Sequence, residues 1–171
     1  LEADGWGELK RKIGEGREDA DVLVFKGGDE ELNRKAAEDS RVDVLLHPEK
    51  GRKDSGINHV IAKEASKNHV AIGFDLQMLD TSDKTRSHIL RHWSRNLMLC
   101  DKYDAPFFNA TATTEKWGLR APRDLKSIID SLGYEGGKAV SDYPEKILER
   151  AEKVTDEGFV RPGEKIRGGE E

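Results

Sequence analysis

The side chains with the clearest chemical potential in this sequence are basic. Residues 45–67, LLHPEKGRKDSGINHVIAKEASK, carry five lysines and arginines. Two of them, Arg52 and Lys53, stand in GRKDSG, whose glycines and Asp-Ser-Gly order mark a turn directly after an apolar run. Arginine holds phosphate through two parallel N–H bonds and lysine acts as a point charge, so this pair on a rigid scaffold makes a phosphate clamp. Asp54 is placed to orient Arg52 or to cap the next helix, which starts near Asn58. Residues 115–125, EKWGLRAPRDL, repeat the theme. There Lys116, Arg120 and Arg123 accompany Trp117, a ring that stacks on a base or fills a core.

The five histidines raise the question of a metal. His88 and His92 have the i, i+4 spacing that presents two imidazoles to one ion, but no glutamate follows the first and no third ligand is evident. His47 ends an apolar run, at the strand end where α/β folds gather ligands; alone it reads as a structural histidine. The sequence has no GxSxG elbow, no GxxxxGK[ST] loop and no GxGxxG after a strand. Nucleophilic and nucleotide-dependent chemistry lack their signatures.

Positioning these residues falls to a chain of 171 residues with net charge −5, the length of one domain. Cys100 has no cysteine to pair with, and neither a secretory leader nor an 18-residue apolar span is visible, so the expected setting is the reducing cytoplasm, away from membranes. The charge is segregated: residues 1–43 hold 8 basic and 13 acidic side chains, residues 44–126 hold 14 and 10, and residues 127–171 hold 7 and 11. A basic middle inside an acidic chain is either a solvated face or a contact for a polyanion, whose displaced counterions would drive binding.

Five short apolar runs read as strands: 21–25, 42–47, 70–76, 106–110 and 138–141. Helical periods lie at Asp29–Asp39, Ile57–Asn68, Thr85–Tyr103, Pro122–Leu132 and Pro144–Val154, the last with Asp142 as its cap, and the opening residues read as a helix and turn. In the helix 85–103, Ile89, Leu90, Trp93, Leu97 and Cys100 share one face, while His88, Arg91, Arg95 and Lys102 point away. Alternation of continuous apolar strands with helices predicts an α/β fold with a parallel sheet. Residues 1–154 form its single domain, and the Gly-rich, charged residues 155–171 are a loose tail.

Three stretches together carry a family resemblance: VDVLLHPEKGRKDSGINHVIAKEASKNHVAIGFDL, then RNLMLCDKYDAPFFNATATTEKWGLRAPRDL, then KAVSDYPEKIL. In this order and spacing, from about Val22 to Val154, the chain resembles the archaeal ribonuclease P protein component 3 family, homologous to the eukaryotic p30 subunit. The resemblance implies a TIM-barrel-like parallel barrel related to the PHP phosphoesterases, here apparently without its first strands. It implies a subunit of the endoribonuclease that removes the 5′ leader from precursor tRNA, with the ribonuclease P RNA and its Mg²⁺ as catalyst, component 2 as protein partner and no catalytic residue of its own. Basic residues of the family match Arg34, Arg52, Lys102, Arg120 and Lys138, with Lys67 a near match in SKNH, a stretch that differs from the family's Lys-rich one; Lys53 and Arg123 join them on chemistry. The His-x-His metal pair of PHP enzymes has no counterpart, and only His47 with Pro48 resembles that corner. The expectation is therefore RNA binding by strand-end loops, with no metal held by the protein. A metal-dependent phosphoesterase using His47, His59 or the His88–His92 pair is the alternative, and a partner-binding scaffold that hardly touches RNA is a third reading.

Overall fold

Four of the apolar runs form one parallel sheet: β1 (Val24–Lys26), β2 (Val44–Leu46), β3 (Ala71–Asp75) and β4 (Phe107–Ala110). In the computed structural model, which describes residues 1–155, 159–161 and 164–165, they lie side by side in chain order. Each new strand is added at the same edge, the winding of a TIM-barrel-like sheet and not of a doubly wound one. The connections are α2 (Glu30–Glu38), α3 (His59–Asn68) and α4 (Asp83–Tyr103), with α1 (Trp6–Asp19) before β1 and α5 (Pro122–Ser131) and α6 (Tyr143–Thr155) after β4. The helix starts follow their sequence signals: Asp29 caps α2, Asn58 caps α3, and Pro122 opens α5.

Period-two alternation sorts the strands' side chains to two faces. Phe25, Leu45, Ile72 and Phe107 stand in one row of the register and join the main core, with Leu9 and Ile13 of α1, Ile61 of α3, Trp93 and Leu97 of α4 and Ile129 of α5. Val44, Leu46 and Ala71 face the other way, where Ile147 of α6 packs on them. Helices α1–α5 thus cover one face and α6 the other. Gly73 serves this second face: a Cβ there would lie 2.8 Å from Leu46 and 2.9 Å from the Phe108 ring.

Residues 138–141 are not a strand. Lys138–Asp142 form a π-helical turn running directly into α6, with the Tyr143 N–H bonded to the Lys138 carbonyl. Pro144 has no N–H to give to the carbonyl four residues back, so the ladder widens here. Ala139 is buried in the core, and Asp142 lies inside the helical run instead of capping it. The tail expected from residue 155 lies mostly outside the described residues; within it Phe159–Arg161 (β5) and Glu164–Lys165 (β6) pair antiparallel. No described helix is long and apolar enough to cross a membrane.

Candidate nucleic-acid interface

The loop between β2 and α3 leaves the carboxyl end of the sheet and is held by buried polar side chains from three directions. Asn33 of α2, fully buried, donates to the carbonyls of Pro48 and Gly56, both at 2.9 Å, and accepts from Gly28 N–H at 3.1 Å. Asn96 of α4, also fully buried, donates to the Ser55 carbonyl at 2.8 Å. The Trp93 indole donates to Glu49 at 3.1 Å, and burial pushes that carboxyl above its ordinary range. Gly56 sits at φ +76°, where a Cβ would come within 1.8 Å of the Pro48 carbonyl oxygen. Only glycine fits this turn.

On that frame Arg52 is oriented by Asp54. Its Nε donates to Asp54 Oδ1 at 2.7 Å and its Nη2 to Oδ2 at 2.8 Å, while Nη2 also reaches Glu30 of α2 at 3.2 Å. The Arg52 guanidinium and the Gly56 N–H hold the Asp54 carboxyl at about 2. Capping of α3 falls to Asn58, which accepts from Val60 and Ile61 N–H at 2.9 and 3.0 Å. Lys53, next to Arg52, is exposed and makes no hydrogen bond or ion pair among the described residues. A groove of about 450 Å³ separates this loop from the outer side of α4, whose Arg91, His92 and Arg95 form its opposite wall.

His47 ends β2 in the left-handed region at φ 54°. Its Nε2 lies 3.4 Å from Asp75 at the end of β3 and its Nδ1 2.7 Å from the Met78 sulfur. Burial alone would raise Asp75, but His47 and the N–H groups of Gln77 and Ala112 outweigh it and hold the carboxyl below its ordinary value. The residues do not suit a metal centre: among the described residues no three or more His, Cys, Asp or Glu side chains gather into a ligand set, and His92 stands between two arginines in the groove. Cys100 is fully buried and burial pushes its thiol up, the opposite of what a nucleophile needs.

The other residues singled out from sequence are scattered over two ends of the sheet. Arg120 and Arg123 follow β4 at the same end as Arg52. Arg120 donates to the carbonyls of Trp117 and Leu119 at 3.1 and 3.2 Å, and Arg123 is exposed beside Asp124 at 3.8 Å. Trp117 is 79% exposed, with the Lys116 ammonium 4.7 Å from its ring centre, so it fills no core. Lys67 and Lys102, at the last turns of α3 and α4, lie at the opposite end. There Lys63 and Lys102 both stand 5.4 Å from the Tyr103 ring centre. Arg34 pairs with Glu38 on α2 at 2.7 Å, and Lys138 with Glu135 at 2.8 Å. Only Arg52 and Lys53 are brought together in one loop.

Sequence reasoning missed Asn33 and Asn96, the residues that make the loop rigid. Each stands on a helix face otherwise apolar, beside Leu32 and Leu97, and a polar residue inside an apolar stripe is the one signal that marked them.

Three comparisons with known proteins agree. Residues 1–155 match the family model described as RNase P subunit p30. The chain is 40% identical over 170 residues to ribonuclease P protein component 3 of Methanococcoides burtonii, covering 97% of this chain and 69% of that one. It is 34% identical over 152 residues to the component 3 protein of Methanococcus maripaludis strain C7, covering 87% of this chain and 62% of the relative. The chain therefore spans about two thirds of the length of the curated relatives it matches. In a cryo-EM structure of archaeal ribonuclease P with mature tRNA, one chain superposes with a TM-score of 0.83 at 31% identity, over 99% of this chain and 75% of that one.

Proposed function

The chain belongs to the RNase P subunit p30 family, and on that premise we propose that it acts as a protein subunit of an archaeal-type ribonuclease P, supporting the RNA subunit's removal of the 5′ leader from precursor tRNA. The observation that carries this reading is the fit of 99% of the chain to one solved inside an archaeal ribonuclease P holding mature tRNA.

The protein's part is to hold RNA while the RNA does the chemistry. Cations at strand ends and helix ends neutralise phosphates and release counterions, which stabilises the folded RNA without any bond-breaking group on the protein. Arg52, Lys53, Arg120 and Arg123 serve at one end of the sheet; Lys67, Lys102 and Lys138, with Arg34 on α2, serve elsewhere on the surface. The Mg²⁺ of the reaction is bound through the RNA subunit, component 2 is the protein partner, and the work is done in the cytoplasm. A metallophosphoesterase would need a ligand set, and the histidines form none among the described residues.

Cleavage of precursor tRNA by the RNA subunit at limiting Mg²⁺, with and without this chain and its partner, tests the reading. Stimulation that requires both proteins is the expected result. Turnover of precursor tRNA by this chain without RNA would overturn it. In the same assay, Arg52→Glu with Arg120→Glu lowers stimulation and RNA affinity without unfolding the protein; unaltered activity would remove those two residues from the interface.

A further inference from the structure

We propose that the groove between the β2–α3 loop and α4 is a phosphodiester-binding site for an RNA strand, with Lys53, Arg91 and Arg95 as its phosphate ligands and Arg52 as a positioning residue.

Among the described residues, eight arginines face a carboxylate and Arg120 is turned onto backbone carbonyls. The Arg91 and Arg95 side chains have no hydrogen bond or ion pair among the described residues. Their helical neighbours explain this: at i±3 and i±4 stand Ser87, His88, His92, Ser94, Met98 and Leu99, and the two arginines themselves at i, i+4. Like charges at that spacing work against the helix, and no acid is supplied to offset them. Both side chains are exposed and both line the groove.

The facing wall is built differently. Arg52, whose side chain is 17% exposed, spends its fork on Asp54 and Glu30, the groove's two acids. This leaves Lys53, exposed and unpaired, as the loop's available cation at the groove. The carboxylates are thus occupied in fixing the loop, and three free cations converge on a cavity of about 450 Å³ whose floor is pinned by Asn96. A rigid, preformed concavity of this kind spends little ordering entropy on a ligand.

The lining also selects the ligand's class. Ile57 is the one apolar side chain at the groove, and it is buried, so an acidic peptide would find no anchor for its own apolar residues. A sugar–phosphate backbone needs only charge and forked donors, which Arg91 and Arg95 provide. The inference rests on the ribonuclease P reading for its polyanion and adds to it a site on α4.

The test is the salt dependence of half-maximal stimulation of precursor-tRNA cleavage in the reconstituted complex. Wild type is compared with Arg91→Gln/Arg95→Gln, with the charge-preserving Arg91→Lys/Arg95→Lys, and with Arg11→Gln on α1 as a surface control. The glutamine pair is expected to raise the half-saturating concentration about tenfold or more and to reduce the slope of log affinity against log salt by about 1.4, two contacts at ~0.7 each. The lysine pair restores the slope, and Arg11→Gln leaves it unchanged. An unchanged slope in the glutamine pair, with wild type stimulating normally, overturns the groove and leaves the family reading intact. Wild type that stimulates at no salt concentration overturns both. Loss of partner-protein binding by the glutamine pair in the absence of RNA assigns the groove to an acidic protein surface and overturns the RNA assignment.

Discussion

Asp43 and Arg150 stand 107 residues apart in the chain and meet in a buried ion pair at the amino end of the sheet. Arg17 of α1 reaches the other oxygen of the same carboxylate at 2.5 Å, and the Leu23 N–H donates to that oxygen at 2.7 Å. Arg150 also donates to the carbonyls of Ser40 and, at 3.0 Å, Asn68. One fully buried carboxylate thus ties α1, the entry to β1, the end of α3 and α6 to the start of β2.

Asp43→Asn should be among the costliest single substitutions in the chain. It leaves two arginines buried without a counter-charge, a change that costs about 3–5 kcal/mol in comparable buried pairs. Urea denaturation at neutral pH measures it, and a loss under about 1 kcal/mol would show that solvent reaches this carboxylate.

Asn33→Ala removes the amide that donates twice into the β2–α3 loop and leaves the Pro48 and Gly56 carbonyls without it. A loss of about 2–4 kcal/mol is expected from the two abandoned groups. Hydrogen exchange separates this from a general loosening: protection should fall around residues 48–58 more than in β3.

Glu49 gives stability a pH dependence of definite sign. Burial raises its folded pKa above the ordinary 4.5, so the folded state holds the proton more tightly than the unfolded chain does. Stability from this group is full below pH 4.5 and declines as pH rises through the folded value. Glu49→Gln keeps the volume and stays neutral, so it should be more stable than wild type at pH 8, with the difference shrinking toward pH 4. Denaturation at both pH values checks this, and equal differences at the two would rule out titration of Glu49 as the cause.

Asp54 shifts the opposite way. Its folded carboxyl titrates at about 2 against an ordinary 3.8, so its stabilisation is present above pH 3.8 and lost as pH falls through 2. A carboxyl-carbon NMR titration should find that midpoint in wild type. In Arg52→Ala the midpoint should move up toward 3.8, because the forked partner that lowers it is gone.

Much of the fold was legible because its signals are local. Continuous apolar runs marked β1–β4, Asn58 and Pro122 marked the starts of α3 and α5, and the stripe Ile89, Trp93, Leu97 and Cys100 marked the buried face of α4. KAVS misled because a run of four residues does not separate strand from helix, and Pro144 downstream converts it into a π turn. The basic character of the site was legible too, but the division of labour was not. Asp54, two residues on, was legible as the partner of Arg52, but that Glu30 also takes its fork while Arg91 and Arg95 remain free depends on a partner 22 residues away, or on the absence of one. The Asp43–Arg150 pair is invisible for the same reason, and Asn33 and Asn96 show only as polar breaks in apolar stripes: a buried polar group is explained by its partner, and the partner is remote in sequence.

The placement of α6 also sets the order in which the molecule can be completed. Val44, Leu46 and Ala71 belong to strands synthesised early, yet the side chain that shelters them, Ile147, comes more than 70 residues later. On a ribosome, α1–α5 can close one side of the sheet while the other stays wet. The nascent chain then carries an uncovered apolar surface until α6 emerges and Arg150 locks onto Asp43. In this sense α6 is the clasp of the sheet's second face.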